Sequence, residues 1–316
     1  MIRRALRAMG WWLMSGALDR LAADSRFSAI ASGPGADSRS AQDAAQASEL
    51  LASLQVIREN TALQKELSGT FFEDLLVAEQ LHRHGPKLIF KENSGVFSQG
   101  YEDSVIAEIY SRIGAASKIF VEIGVETGKE NTTRLLLALG WKGAWIEANP
   151  QYVVQIRENF AREIDEGRLI VREALASAEN IQPLLDRLEL GGEIDFMSID
   201  IDQNTSHIWR ALTTRPRVAC IEYNAHFHPS VEFEVPYRLD ATWNGSNIFG
   251  ASLKALERIG RQKAMSLVGC DLLGVNAYFV ADELLGDHFA TPYTAEKHYQ
   301  PPRYPMVSTR RGHPSA

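Results

Sequence analysis

The chain is short of the features that settle a protein's class at once. It has two cysteines in 316 residues, Cys220 and Cys270, each inside an apolar run. That excludes a disulfide framework and suits a reducing compartment, so a cytoplasmic location is expected. Basic residues do not prevail: 33 Lys and Arg face 40 Asp and Glu, a formal net charge of −7. With no basic stripe in view, nucleic acid is not an expected partner. No run reaches the ~18 or more apolar residues of a membrane span. Nor is there a G-x-G-x-x-G, the turn that seats a pyrophosphate. What is present is 45% hydrophobic content, enough for one large domain plus an accessory region.

The N-terminus "MIRRALRAMGWWLMSGALDRLAAD" has a basic start (Arg3, Arg4, Arg7) and an apolar stretch from Ala8 to Leu18. This resembles a short secretory signal, but Asp19 and Arg20 follow directly. The plainer expectation is an amphipathic helix that packs on the body, a partner or a membrane surface. Residues 31–45 are small and polar and read as a linker. Leu50, Leu54, Ile57 and Leu63 fall near helical spacing and predict a helix from about Gln42 to Leu67. Its plain role is packing; the alternative is a coiled-coil contact between subunits, a homo-oligomer through the N-terminal helices, for which the heptads are few. "FFEDLLVAEQLHR" predicts a second helix.

From Lys118 onward, strand-like and helical segments alternate. "KIFVEIGV", "GAWIEAN", "RLIVREAL", "IDFMSIDID" and "RVACIEYNA" read as strands, with helices between them. "KAMSLVGCD" and "VNAYFVAD" read as a hairpin around Leu272 to Gly274. Such alternation, with early strands apolar on both faces, predicts a parallel sheet covered on both sides. Ligands of such sheets bind beyond the carboxyl ends of the strands. The expected organisation is an N-terminal helical region over 1–95, a catalytic domain over 96–287 and a tail over 288–316.

The first strand runs into "VEIGVETGKENTT", where Gly124 and Gly128 form G-x-x-x-G at a strand-to-helix turn. Glu122, Glu126 and Glu130 there would repel phosphates, so a cofactor with a positive centre and no phosphate fits better. Asn131 and Thr132 open the next helix and join the cofactor candidates. Glu147 ends the second strand ~20 residues later, where a carboxylate can accept both hydroxyls of a ribose; it can also cap the next helix. Ala176 and Ser177, small residues after the third strand, leave room for an adenine ring.

In order and spacing, "FVEIGVETGKENTT", "WIEANP" and "DFMSIDID" resemble the successive motifs of class I S-adenosylmethionine-dependent methyltransferases, particularly the FkbM-like branch. "FSQGYED" before them and "GASLKALERIG...LVGCDLLGVNAYFV" behind are similar to that branch too, over about Phe97 to Asp282. The resemblance implies a Rossmann-like, doubly wound α/β sheet of about seven strands with an antiparallel last strand. It also implies S-adenosylmethionine contacts at Glu122, Gly124, Gly128 and Glu147. The departure is Val125, which stands where the family often has a second glycine.

The fourth strand ends in Asp200 and Asp202, and the fifth in Glu222 and Asn224. Residues two apart share a strand face, so these four are expected to converge. Their mutual repulsion calls for a bound cation or a shared proton. As hard oxygen ligands they make a candidate Mg²⁺ site. Some O-methyltransferases resemble this, using a divalent ion at these strand ends to grip a substrate hydroxyl. The candidates for removing the hydroxyl proton are Asp200, His207 and His226. His207 can instead simply pack in a helix, and Asp202 can cap one. In "EYNAHFHPSVE", His226, His228 and Glu232 resemble the first metal motif of cupin oxygenases, although that fold is all-β.

The connection from Ala225 to Phe249 is long, and such loops are usually functional. His228, Tyr237, Trp243 and Asn244 in or beside it are candidate substrate contacts, suited to a sugar or a ring-bearing natural product. The expected function is methyl transfer to oxygen of a small hydroxylated molecule. The alternatives are a non-catalytic methyltransferase-like binding protein and a metal-dependent oxygenase or hydrolase using the His226/His228 cluster.

Overall fold

The computed structural model describes residues 71–304 apart from 83, 92–94, 99 and 244, and scattered positions between 52 and 64. Internal contacts divide the chain into two units, Met1–Phe71 and Phe72–Ala316. In the first unit, positions 52, 53, 55–57, 60, 61 and 64 are helical, inside the helix expected there. The expectations for the N-terminal segment, for the linker over 31–45 and for Asn244 lie outside the described residues. No helix among the described residues is long and apolar enough to cross a membrane.

The second unit begins with a helix over residues 72–82 (α1). Then come α2 (Glu102–Ile113), β1 (Ile119–Ile123), α3 (Arg134–Ala138), β2 (Lys142–Glu147), α4 (Pro150–Asn159), α5 (Ala161–Asp165) and β3 (Leu169–Glu173). The series continues with α6 (Ile181–Asp186), β4 (Phe196–Ile199), α7 (Thr205–Ala211), β5 (Val218–Glu222) and α8 (Leu253–Gln262). It ends with β6 (Met265–Cys270), β7 (Asn276–Ala281) and α9 (Ala295–His298). The seven strands form one sheet in the order β3-β2-β1-β4-β5-β7-β6. β1 to β5 pair in parallel, and β7 lies antiparallel to both β5 and β6. This is the Rossmann-like sheet with an antiparallel last strand that the sequence predicted, and the hairpin falls where expected.

Alternate residues of each strand feed two separate cores. Val121, Ile123, Met197 and Ile199 pack with residues of α6, α7 and α8 on one face. Phe120, Trp145, Phe196 and Tyr278 pack with residues of α2, α3 and α4 on the other. Burial on both faces explains the near-continuous apolar runs of β1, β4 and β7. The edge strand β3 is the exception and grows polar toward its end. α8 is started by Ser252, whose hydroxyl accepts from Ala255 N, a cap contributing about 1 kcal/mol.

Two glycines shape the β1 turn for different reasons. Gly124 has φ +81°, and a Cβ there would lie 1.9 Å from the Asp200 carbonyl oxygen, so no side chain fits between β1 and β4. Gly128 has φ +72°, and its Cβ would lie 2.8 Å from the Trp145 ring. The order of the strands reverses between β1 and β4, which opens a crevice at their carboxyl ends. The chain after α9 is tied to the same unit. Gln300 O accepts from Tyr223 Oη (2.7 Å), Tyr299 Oη donates to Ala225 O (2.6 Å) and Arg303 N to Leu273 O (2.8 Å).

Candidate ligand cavity at the strand ends

A cavity of about 790 Å³ opens at that crevice. Its walls come from the β1 turn (Glu122 to Thr132), the end of β2 (Ile146 to Ala148) and Tyr152 of α4. Ala174 to Ala176 after β3, Asp200 to Asp202 with Asn204, and Val275 with Asn276 complete them. Gly100 and Glu102 of the "FSQGYED" segment also reach it. Seven carboxylates line it (Glu102, Glu122, Glu126, Glu130, Glu147, Asp200 and Asp202) against one basic side chain, Lys129. Such a wall favours a cationic ligand over a phosphate.

On the β1/β2 side the carboxylates are well served. Glu122, 2% exposed, accepts from Asn131 Nδ2 (2.6 Å), Thr132 N (2.9 Å), Thr133 N (3.0 Å) and Thr133 Oγ1 (2.6 Å). Burial pushes its pKa up, and these donors pull it back. The Thr133 hydroxyl in turn accepts from Trp145 Nε1 (2.8 Å), so Glu122 organises the turn as well as facing the cavity. Glu147 accepts from Val125 N (3.1 Å) and Glu126 N (2.9 Å) through one oxygen and from Asn149 N (2.8 Å) through the other. The helix-capping role belongs to Asn149, whose side chain accepts from Gln151 N (2.9 Å). Asn131 Oδ1 is buried with no donor.

The β4/β5 side is the opposite. Asp200 and Glu222 are neighbours, since Ile199 pairs with Ile221. Burial and the charge of Asp202 push Asp200 up, while a hydrogen bond from Glu222 pulls it down. Glu222 is pushed well up by burial and then by the charges of Asp200 and Asp202. Glu222 Oε2 is buried and has no donor of its own. One proton shared by the pair and sited on Glu222 accounts for all of this, because it satisfies Oε2 and leaves Asp200 the carboxylate. Asp200 is walled by protein yet opens to the cavity. Asp202 sits in a left-handed turn, φ +58°, and is exposed.

The expected four-oxygen metal set does not assemble. Asn224 is fully buried, its Nδ2 donates to Asn247 O and Phe249 O (both 2.9 Å), and its Oδ1 accepts from His226 N (3.0 Å). Its amide is spent on holding the loop. Among the described residues no three His, Cys, Asp or Glu side chains are placed to share a metal ion.

The other candidates divide by whether they reach the cavity. Gly124, Thr132 and Ala176 line it; Gly128 serves the packing on Trp145, and Ser177 accepts from Asn180 N through its hydroxyl (3.2 Å). His207 lies on α7 with Nε2 2.8 Å from Val235 O and its ring 5.4 Å from Tyr237, away from the cavity wall. There it anchors Val235 and packs on Tyr237. His226 faces Tyr304, ring centroids 5.8 Å apart, and exposed His228 holds Ser230 at 2.8 Å; neither lines the cavity. Tyr237 donates to Glu179 (2.6 Å) and Trp243 Nε1 to Ser246 O (2.8 Å). The long loop reaches the cavity through Leu239, Ala241 and Thr242 instead. Sequence reasoning missed these three because it searched the loop for aromatic and amide side chains. Glu102 of "FSQGYED" lies 20 residues before Glu122 in the chain, and its place on the wall has no local signal.

No family model matches the chain, and no curated protein matches it. Similar solved structures include an O-methyltransferase from Bacillus cereus in complex with SAH, at 20% identity over 52% of this chain and 76% of that one, TM-score 0.34. Another is the glycopeptide N-methyltransferase MtfA complexed with sinefungin, at 12% identity over 64% and 96%, TM-score 0.36. A third is the methyltransferase domain of bacterial CtHen1-CN, at 14% identity over 58% and 98%, TM-score 0.36. What the cavity of this chain binds has to come from its own residues.

Proposed function

We propose that the second unit is an S-adenosylmethionine-dependent methyltransferase that methylates a hydroxyl of a small molecule, a sugar or natural-product scaffold. The observation that carries this reading is the asymmetry of one acidic cavity at the switch point of a seven-stranded Rossmann-like sheet. One side has carboxylates fixed by backbone donors, and the other has a carboxylate, Asp200, free to react. The residues fit the cofactor: the wall is acidic without a phosphate cradle, Glu147 offers oxygens for a ribose, and Ala174 and Ala176 leave room beside them. Buried Asn131 Oδ1 awaits a donor. We place the chain in the FkbM-like branch on the same footing, supported by Gly100 and Glu102 of "FSQGYED" at the cavity wall.

When bound, S-adenosylmethionine supplies a methyl group on a positively charged sulfur, open to in-line attack by an oxygen nucleophile. Glu122 holds the β1 turn in shape, and Glu147 fixes Val125 and Glu126 while presenting its remaining lone pairs to the cavity. Asp200 accepts the proton of the acceptor hydroxyl, and Glu222 keeps the pair's own proton and so keeps Asp200 basic. Among the described residues, the donor set at the ends of β4 and β5 is incomplete for a metal ion.

Calorimetry with S-adenosylmethionine tests the first half of the proposal. Binding in the micromolar range is the expected outcome, and no binding at millimolar cofactor overturns it. Product mass with a panel of hydroxylated acceptors tests the second half. A gain of one methyl on oxygen supports transfer, whereas binding with no transfer to any acceptor favours a non-catalytic binding protein.

A further inference from the structure

Among the described residues, the chain between β5 and α8 has no regular structure beyond one isolated bridge, Glu234 to Ala251. Connections of that length inside a compact unit need a reason. This one returns across the sheet ends and puts Leu239, Ala241 and Thr242 on the cavity wall. It is fastened there at three residues within the span 235–238. His207 Nε2 lies 2.8 Å from Val235 O, Tyr237 Oη donates to Glu179 Oε2 at 2.6 Å and accepts from Ala178 N at 3.3 Å, and Asn204 Nδ2 donates to Arg238 O at 2.8 Å. Two separate parts of the fold thus grip it: the start of α7 and the turn that follows β3.

Just past these tethers the side chains turn apolar and bare. Leu239 and Leu175 line the cavity and are 54% and 56% exposed, and Trp243, next in the chain after the lining residue Thr242, is 53% exposed. Apolar side chains of that size beside a cavity gain by being covered, and a ligand filling the cavity supplies a cover. Tyr237 is the one tether whose side chain spans from the loop to the turn after β3, next to Leu175.

We propose that Tyr237 is a positioning residue for ligand binding: its bridge to Glu179 and Ala178 fastens the 235–243 segment as a wall of the cavity, and Leu239 and Trp243 close on the bound cofactor. The proposal rests on the methyltransferase reading above. Release of the ligand then requires the wall to swing outward, so the bridge acts on dissociation more than on association.

The test uses the full chain and S-adenosylhomocysteine, followed by stopped-flow tryptophan emission. Trp141, Trp145 and Trp209 are buried, so an emission change on binding that disappears in Trp243→Phe reports the loop. Tyr237→Phe keeps the ring against His207 and removes the bridging hydroxyl. It is expected to speed dissociation about tenfold, the scale of one hydrogen bond to a charged group, with the association rate and melting temperature held. Glu179→Ala should match it, and Glu179→Gln, which keeps an acceptor oxygen, should restore most of the loss. Wild-type dissociation rates in Tyr237→Phe, or binding with no Trp243 response, overturn this proposal and leave the methyltransferase reading intact. Failure of the wild-type chain to bind S-adenosylhomocysteine at millimolar concentration overturns both.

Discussion

The two sides of the cavity are made of the same residue type in opposite states. Glu122 and Glu147, at the ends of β1 and β2, accept seven hydrogen bonds between them from the turns they organise. Asp200 and Glu222, at the ends of β4 and β5, have each other, a shared proton and, for Glu222, the Asp202 backbone amide. A carboxylate with that many donors is architecture: it fixes a backbone turn. A carboxylate held beside another with few donors is costly to the fold, and such costs concentrate where chemistry is done. Position in one sheet does not separate the two kinds; the number of donors aimed at each does.

The largest expected effect is at the seam between the two sides. Gly124→Ala forces a Cβ onto the Asp200 carbonyl oxygen, 1.9 Å away, from a left-handed backbone. A loss of roughly 4 kcal/mol in urea unfolding, or no soluble fold, is expected; a loss under about 1 kcal/mol shows that β1 and β4 are not this close. Glu122→Ala comes next. It strands the donors of Asn131, Thr132 and Thr133, and about 3 kcal/mol of unfolding free energy should be lost. A variant as stable as the wild type breaks the assignment of Glu122 to architecture.

Asp200→Asn should do the reverse. Unfolding stability holds or rises, S-adenosylhomocysteine affinity stays within about threefold, and methyl transfer falls at least about 100-fold, or about 2.7 kcal/mol of barrier. Wild-type turnover in this variant removes Asp200 from the reaction. The smallest effect is a slope. The folded chain holds the Asp200–Glu222 pair above the ordinary carboxylate range, so the pair keeps its shared proton at pH values where unfolded carboxyls, titrating near about 4, have lost theirs. The native state therefore binds more protons, and stability falls as pH rises from the ordinary carboxylate range toward neutrality. The Asp200→Asn, Glu222→Gln double variant should flatten that fall in a series of urea midpoints. An unchanged slope places the shared proton elsewhere.

Much of the fold was legible before any coordinates. Apolar runs such as "KIFVEIGV" are buried on both faces and so announce central parallel strands, while Gly124 and Gly128 mark a turn that a side chain would strain. The cavity's location followed from the alternation of strands and helices, and Glu122, Gly124, Glu147 and Asp200 all line it. The histidines were harder. His207, His226 and His228 have the chemistry of bases and ligands, but where a ring points depends on neighbours distant in sequence. His207 is turned to Val235 and Tyr237, and His226 to Tyr304. Asn224 misled in the same way, since its amide is taken up by Asn247 and Phe249, more than twenty residues on.

The sequence alone determined the architecture, because hydrophobic period and turn chemistry are local and the strands that obey them have one way to stack. It also determined that the carboxyl ends of these strands are acidic. Which carboxylates are bound into the turns, which pair shares a proton and which loop residues wall the cavity were decided by the tertiary structure. Those properties depend on the donors and charges that folding brings within a few ångströms, and spacing along the chain does not record them.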